Sequence, residues 1–408
     1  MSETTGTRRS RPGFLRAVTR RFGTWPLFGV ILVWVVLALV VFTVLGWLWG
    51  EGPLWSWQRW LTNWRGAGVG AGPLDLVKVS LTTIGGIGGT GYLVIKYRER
   101  ASAERADAEQ RLLSGVQQLG SESPQVRIAG VYSLADVADT YRGEYRQRVV
   151  SILCGYLRTQ RGEWRTIVNE QDGPEQSSEE KVYVSHDGAV ESTVLEVLVR
   201  HLRKRREKTK HREAVTQLVE DDQLWCDCTI DLHDAVLTEI ADFRGATFND
   251  ADFRGATFTS FADFERATFK RDARFRGATF NDADFQDATF KRYAGFWDAT
   301  FTNVGFERAT FTNDANFWGA TFTSFADFER ATFKRDANFW DATFTSFADF
   351  EGATFTNADF QDATFTRSAP PRGLPPGRVD EDGLPHGARW AEDDDEGLEA
   401  GFPDDAPR

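Results

Sequence analysis

Cysteine is scarce in this chain. Cys154, Cys226 and Cys228 are its three thiols in 408 residues, too few for a disulfide framework, and a reducing compartment fits them. An excess of positive charge is missing as well. A net charge of −12 argues against a general nucleic-acid binder, so no direct nucleic-acid contact is expected. Recognisable catalytic machinery is the third absence. No Ser/His/Asp or Cys/His arrangement stands out, and Cys154 falls on an apolar helical stripe, where buried thiols are usually inert. Cys226-x-Cys228 with His233 offers only three metal ligands, and neither His201 nor His211 completes a zinc spacing. The expectation is a protein that is not an enzyme, with no catalytic residues, cofactor or metal.

What is present is unevenly distributed. Residues 1–24 carry six Arg against one Glu, whereas residues 369–408 carry eleven acids against four Arg. Between them, Trp25 to Trp49 is almost wholly apolar and long enough to cross a hydrocarbon core of ~30 Å. It is too long for the h-region of a cleaved signal peptide. Leu76 to Tyr97 is weaker, with Lys78 and several Gly, but ends in Leu93-Val94-Ile95 and reads as a second span with Lys78 snorkelling. Arg8, Arg9, Arg11, Arg16, Arg20 and Arg21 precede the first span; Lys96, Arg98, Arg100, Arg105 and Arg111 follow the second. The positive-inside rule makes this a two-pass hairpin of the cytoplasmic (inner) membrane with both termini cytoplasmic. Trp55, Trp57, Trp60 and Trp64 in the intervening loop suit the interface.

Gly86-Ile87-Gly88-Gly89-Thr90-Gly91 matches the dinucleotide fingerprint in letters only. That motif needs a preceding strand and a βαβ unit, and here it lies in an apolar span. Gly85 and Gly89 would let two membrane helices approach closely, most simply within the hairpin. Beyond it, residues 99–118 read as a charged helix. Ser123-Pro124 then reads as an N-cap with Pro at the first helical position. Val126, Ala129, Tyr132, Val137 and Tyr141 recur near helical spacing, followed by Val149, Ile152, Leu153, Tyr156 and Leu157. After a polar loop near 161–187 comes Val190, Val194, Leu195, Leu198 and Leu202. These helices suggest a small HEAT-like packet over 98–222. Arg200 to Arg212 is a basic run, read first as a solvated helix face and second as a contact for anionic lipid.

From Ile230 the chain repeats a five-residue unit: a small residue, a polar one, Phe, then two polar ones. So short a period cannot be helical and marks a solenoid. These residues resemble the pentapeptide-repeat family, A-(D/N)-(L/F)-x-x. Together with the two spans, Gln117-Gln118-Leu119-Gly120 and Cys154-x-Tyr156-Leu157-Arg158, they resemble a group of actinobacterial membrane proteins of undefined role. The resemblance implies a right-handed, four-sided parallel β-helix with four repeats per coil.

The residues themselves agree with that fold. Central positions run Leu232, Leu237, Phe243 and then Phe at each repeat to Phe365, with Ala two residues earlier in all but two repeats. Both sets must point inward, and a stack of Phe, each burying ~150–250 Å², supplies a core without a second layer. Twenty-six repeats give six and a half coils. Eight spacings are six residues rather than five, always after A-T-F or A-V-L and never after A-D-F. The extra residues after second faces are Ile240, Phe261, Phe325 and Phe347; those after fourth faces are Asp272, Tyr293, Asp314 and Asp336. The same count stacks Trp297, Trp318 and Trp340, with Arg276 and Arg254 continuing the column. Ile240, Phe261, Phe325, Phe347 and the three Trp are the candidate partner-binding residues, flanking a second face whose outward residues are largely Thr.

The expected organisation is a basic N-terminus (1–24), a transmembrane hairpin (25–97), an α-helical domain (98–222), a β-helix (230–367) and a disordered acidic tail (368–408). That tail is placed to shield the last coil, since solenoid ends need a polar cover. The leading functional expectation is a membrane-anchored scaffold. Its hairpin contacts lipid and its β-helix takes an unidentified protein partner, with assembly of several copies left open. The alternative comes from the family: some pentapeptide-repeat proteins imitate B-DNA and bind DNA gyrase. Residues 230–368 hold 23 acids and 14 bases, the right sign for that role.

Overall fold

The computed structural model describes residues 73–168, 179–205, 216–374, 377 and 379–391, together with Val36, Leu39, Val40 and Val44. The chain divides into two compact units, Met1–Ala106 and Asp107–Arg408.

In the first unit the described residues are helical. Helix α1 runs from Pro73 to Leu119 without a break, so Gly86 to Gly91 lies within a helix and is not a nucleotide-binding turn. Lys96–Glu99 and Arg100–Glu104 pair along its surface. Among the described residues no helix is long and apolar enough to cross a membrane; Lys78 and the glycines dilute the hydropathy of Leu76–Tyr97. The other expected span, Trp25–Trp49, lies outside the described residues except for Val36, Leu39, Val40 and Val44, which are helical and exposed.

The second unit opens with helices α2 (Pro124–Thr140), α3 (Glu144–Leu157) and α4 (Gly188–Leu202). Ser123 occupies the N-cap position of α2, but its hydroxyl bonds the Gln125 side chain rather than the helix backbone. Val131, Leu134, Val149, Leu153, Leu157, Val194 and Leu198 close the packet, all buried. Part of the expected loop at 161–187 is instead an antiparallel hairpin, β1 (Gly162–Val168) with β2 (Glu179–Ser185). Trp164 packs edge-on against Tyr183 across it, 5.3 Å between ring centres.

One buried carboxylate joins the helices to the solenoid. Glu191, in the first turn of α4, is fully buried and pairs with Arg161. It also accepts the backbone N–H groups of Thr238 and Glu239 at 2.6 and 3.0 Å. Arg161 in turn donates to the carbonyls of Leu157 and Val236. A buried charge needs its partner and its remaining hydrogen bonds filled; both oxygens of Glu191 are supplied in this way, from the helices and the solenoid at once, while the Nε of Arg161 has no partner among the described residues.

The solenoid is a four-sided parallel β-helix. Short strands repeat in register every 21 or 22 residues, as in Thr247–Thr268–Thr289–Thr310 and Ala251–Ala273–Ala294. Four columns of Phe fill the interior. Stacked rings within a column lie 4.6 to 5.2 Å apart, as in Phe311–Phe333 and Phe280–Phe301; rings of opposing columns meet edge-on, as Phe296 and Phe306 do at 5.5 Å. The Ala column beside each Phe is equally buried, because a larger residue would displace the ring next to it.

Turn chemistry separates the faces. After every first and third face a backbone N–H closes a four-residue turn, as from Ala246 to Phe243 and from Ala299 to Phe296. The third residue of each such turn is left-handed: Gly245, Gly319, Asp298 and Arg308 all have positive φ, the requirement of a type II-like turn. Where an Asp or Asn precedes the Phe of such a face, its side chain accepts the backbone N–H two residues on, as Asp263 does from Glu265 and Asn316 from Trp318; Arg274, Gly295 and Gly305 stand there in the other coils. That Asx turn is why A-D-F repeats differ from A-T-F ones. Second and fourth faces lack the closing bond, so their corners hold either five or six residues. At three of the corners that lack the sixth residue the strand runs straight across, as in Thr279–Asp284, Thr300–Gly305 and Thr354–Asp359; Thr332–Asn338 does so around an extra residue, as a bulge.

The end of the solenoid corrects the expected disordered tail. Arg372 bridges to Asp349, and Arg389–Trp390 adds a further rung beside Thr364–Phe365. Leu384 is buried and Trp390 packs on the core. Aromatic and aliphatic residues scattered among the Pro and acid letters supply this cover; residues 392–408 lie outside the described residues.

Candidate interaction surface

The faces of the solenoid differ in chemistry. On the second face the outward strand positions are Thr257, Thr279, Thr300, Thr321, Thr343 and Thr364, and, beyond each Phe, Thr259, Asn281, Thr302, Thr323, Thr345 and Thr366. None is charged. Several hydroxyls turn back to the preceding coil: Thr323 donates to the Phe301 carbonyl and Thr345 to that of Thr323. Thr343 and Thr364 bond each other.

Both aromatic columns predicted from the count flank this face. Trp297 meets Trp318 edge-on at 5.4 Å, and Trp318 stacks on Trp340 at 5.9 Å. Arg276 lies 5.8 Å over Trp297 at one end, and Trp340 donates to Asp362 at the other. On the far edge Phe325 stacks on Phe347 at 5.6 Å with planes 4° apart, and Arg372 sits over Phe347. Ile240 is 63 % exposed, Trp340 45 %, Phe325 40 % and Phe261 39 %, large values for apolar side chains. The Phe column is interrupted, because the coils with Phe280 and Phe301 have no sixth residue at that corner; Phe261 and Phe325 are therefore not stacked neighbours.

The other charged surfaces were not read from the sequence. The third face is acidic: Asp263, Asp284, Asp327 and Asp349 stack along its leading positions, with Glu265, Glu307, Glu329 and Glu351 beyond the Phe. Burial pushes Asp263 up to about 6, helped by the charge of Asp284 and opposed by the Glu265 N–H. Burial likewise raises Asp284, Asp327 and Glu265, each with a neighbouring carboxylate adding to it. At the first coil, burial of Asp242 is outweighed by hydrogen bonds from Arg244 and Arg203, and its carboxyl sits below the ordinary range. The fourth face carries Lys270, Arg271, Lys291, Arg292, Lys334 and Arg335. The edge that holds Asp272, Tyr293, Asp314 and Asp336 is therefore mixed in charge, with Arg271 near Asp250 and Arg274 on Asp272. The period-21 recurrence of these letters was the available signal, visible only once the coil length is fixed.

The thiols are interior groups. Burial pushes Cys154 up to about 12 and Cys228 up to about 11, and Cys226 donates to the Leu202 carbonyl. His201 stacks on Trp225 at 4.0 Å, and both contact Asp139; this cluster packs the helices.

The pentapeptide-repeat family, described as pentapeptide repeats in nine copies, matches residues 229–268, 260–300, 296–343 and 328–370. No curated protein and no solved structure matches the chain. Residues 229–370 thus carry pentapeptide repeats, folded as the β-solenoid described above.

Proposed function

We propose that this protein is a non-catalytic interaction scaffold that is anchored to the inner membrane by residues 25–97 and presents its solenoid in the cytoplasm. The observation carrying the interaction reading is the uncharged Thr face between two exposed aromatic columns. A contiguous exposed apolar patch with a polar surround usually marks a protein contact, and aromatic residues dominate the energetics of such contacts. Membrane anchoring is supported by the apolar run Trp25–Trp49 and by the flanking Arg and Lys.

In-cell crosslinking and affinity capture, comparing the full chain with one ending before Ile230, tests the scaffold. Proteins lost on truncation support it; identical captures overturn it. Replacing Phe261, Phe325 and Phe347 by Ser leaves the Phe interior intact and is expected to weaken that capture; unchanged capture would remove the aromatic edge from the reading.

A second reading is favoured by the acidic third face. A stacked run of carboxylates along a solenoid offers the charge pattern of a DNA mimic, and the family resemblance then points to DNA gyrase. Arg266, Arg308 and Arg330 dilute that face, and a membrane tether suits a nucleoid enzyme poorly. Gyrase subunits among the proteins lost on truncation would favour this reading over the first.

A further inference from the structure

We propose that the partner of the Thr face is a second copy of this chain, the two solenoids lying parallel and face to face. The proposal rests on the docking reading above and names its occupant. Charge makes the first part of the argument. Two copies related by a two-fold axis set each face against itself. On the third face that opposes carboxylate to carboxylate, Asp327 and Glu329 among them. On the fourth it opposes Lys291 and Arg292 to their own kind. Like charges brought together cost free energy. Every outward strand position of the second face from Thr257 to Thr366 is Thr or Asn, so this face meets itself without that cost over its whole length; the first face does not, since Arg274 and Arg276 lie together on one of its coils.

The aromatic edges then select the orientation. A two-fold axis running along the solenoid exchanges left and right edges but keeps each coil level with itself. It places the Trp column of one copy opposite the Phe column of the other. Trp318 and Phe325 belong to the same coil, as do Trp340 and Phe347, so the pairs meet at matching heights along both edges. The axis perpendicular to the solenoid would instead set Trp on Trp and Phe on Phe, and the level that pairs Trp297 with Trp340 leaves Phe347 facing the coil of Phe301, which has no sixth residue at that corner. The parallel arrangement also leaves both N-terminal segments on one side, as anchoring in a single membrane needs.

Size permits it. Six rung spacings of ~4.8 Å by the five residues of one face at ~3.3 Å give roughly 480 Å² per copy. The flat face thus totals about 950 Å², and the Trp and Phe columns that flank it bring the contact to the ~1,000 Å² that a specific interface requires. Its aromatic rim and uncharged centre match the depletion of charge found at interface cores.

The test uses single cysteines in the full chain, crosslinked in cells with a short, membrane-permeant bismaleimide; the three native thiols are buried. Thr323→Cys and Thr345→Cys replace exposed residues at the middle and far end of the face. Thr259→Cys reports the near end, and Glu329→Cys on the third face is the control. The expected result is a dimer of this chain from each Thr position, at least tenfold above the control. Thr259→Cys joining only Thr345→Cys on co-expression, with no self-adduct from either, would overturn the parallel arrangement. Adducts to a different polypeptide would overturn self-pairing while leaving the docking face in place. No adduct at any Thr position above the control would overturn both.

Discussion

Asp263 lies directly beside Asp242 on the next coil, and the two carboxyls are displaced in opposite directions. Asp242 is claimed by Arg203 and Arg244. Asp263 has the Nε of Arg244 3.3 Å away, a group it shares with Asp242, and otherwise faces burial and Asp284. Between the ordinary carboxylate range near 3.9 and its own value of about 6, folded Asp263 holds a proton that the unfolded chain releases. Stability therefore falls as pH rises through that window.

Asp263→Asn should remove this dependence. The amide oxygen still accepts the Glu265 N–H, as Asn316 and Asn338 do for Trp318 and Trp340. The variant is expected to be more stable than the parent at pH 7.5 by on the order of 1–2 kcal/mol and no more stable at pH 4. Asp242→Asn should behave oppositely, with a loss at neutral pH that vanishes in acid. Thermal melts of both variants across pH 4 to 8 check the pair.

The solenoid was legible because its period carries its own geometry. Phe every fifth residue with Ala two before it leaves one inward assignment, and the position of the sixth residues picks out two corners of four. Why those corners accept them was not legible. The answer lies in a backbone bond, from Ala246 to Phe243 and its equivalents, which no single letter announces. The hairpin Gly162–Val168 with Glu179–Ser185 was missed because its polar letters read as a loop. The tail was expected to shield the last coil, but its rung at Arg389–Trp390 was missed for the converse reason: few apolar residues suffice when the surface they cover is a finished coil. Glu191 gave no signal at all, being one more acid on a helix.

The corner rule is itself testable by insertion. One Ser added after Asn303 enters a second-face corner that lacks its sixth residue, and should cost less than about 1 kcal/mol, as surface changes usually do. One Ser added after Glu307 interrupts the turn that Ala309 closes on Phe306. That insertion shifts the left-handed residue and should unfold several coils. Circular dichroism melts separate the two; equal losses would mean the closing bond does not govern where residues can be added.

The Glu191 joint makes a further prediction. Removing one member of a buried ion pair costs about 3–5 kcal/mol because the other charge is left uncompensated. Glu191→Ala should show a cost of that order. Glu191→Gln keeps an acceptor for Thr238 and Glu239 and should lose less. Arg161→Met combined with Glu191→Gln should recover part of the single-mutant loss. The fluorescence of Trp225, fully buried in the helical packet, follows each unfolding curve in denaturant.

Two Phe eight residues apart define the division between holding the fold and using it. Phe317 is fully buried, stacked on Phe296 and Phe339 at 4.9 and 4.8 Å. Truncating it opens a cavity that rigid coils on either side cannot close, so Phe317→Ala should cost about 3–5 kcal/mol. Phe325 is 40 % exposed, with one ring neighbour, Phe347. Phe325→Ser removes less burial and leaves the inner columns untouched, so its cost should be smaller, about 1–2 kcal/mol. Function should invert that order. At a temperature where both variants are folded, Phe317→Ala should still crosslink through Thr323, whereas Phe325→Ser should not. Parallel losses of stability and crosslinking in both would mean the edge Phe are part of the fold and not of a contact.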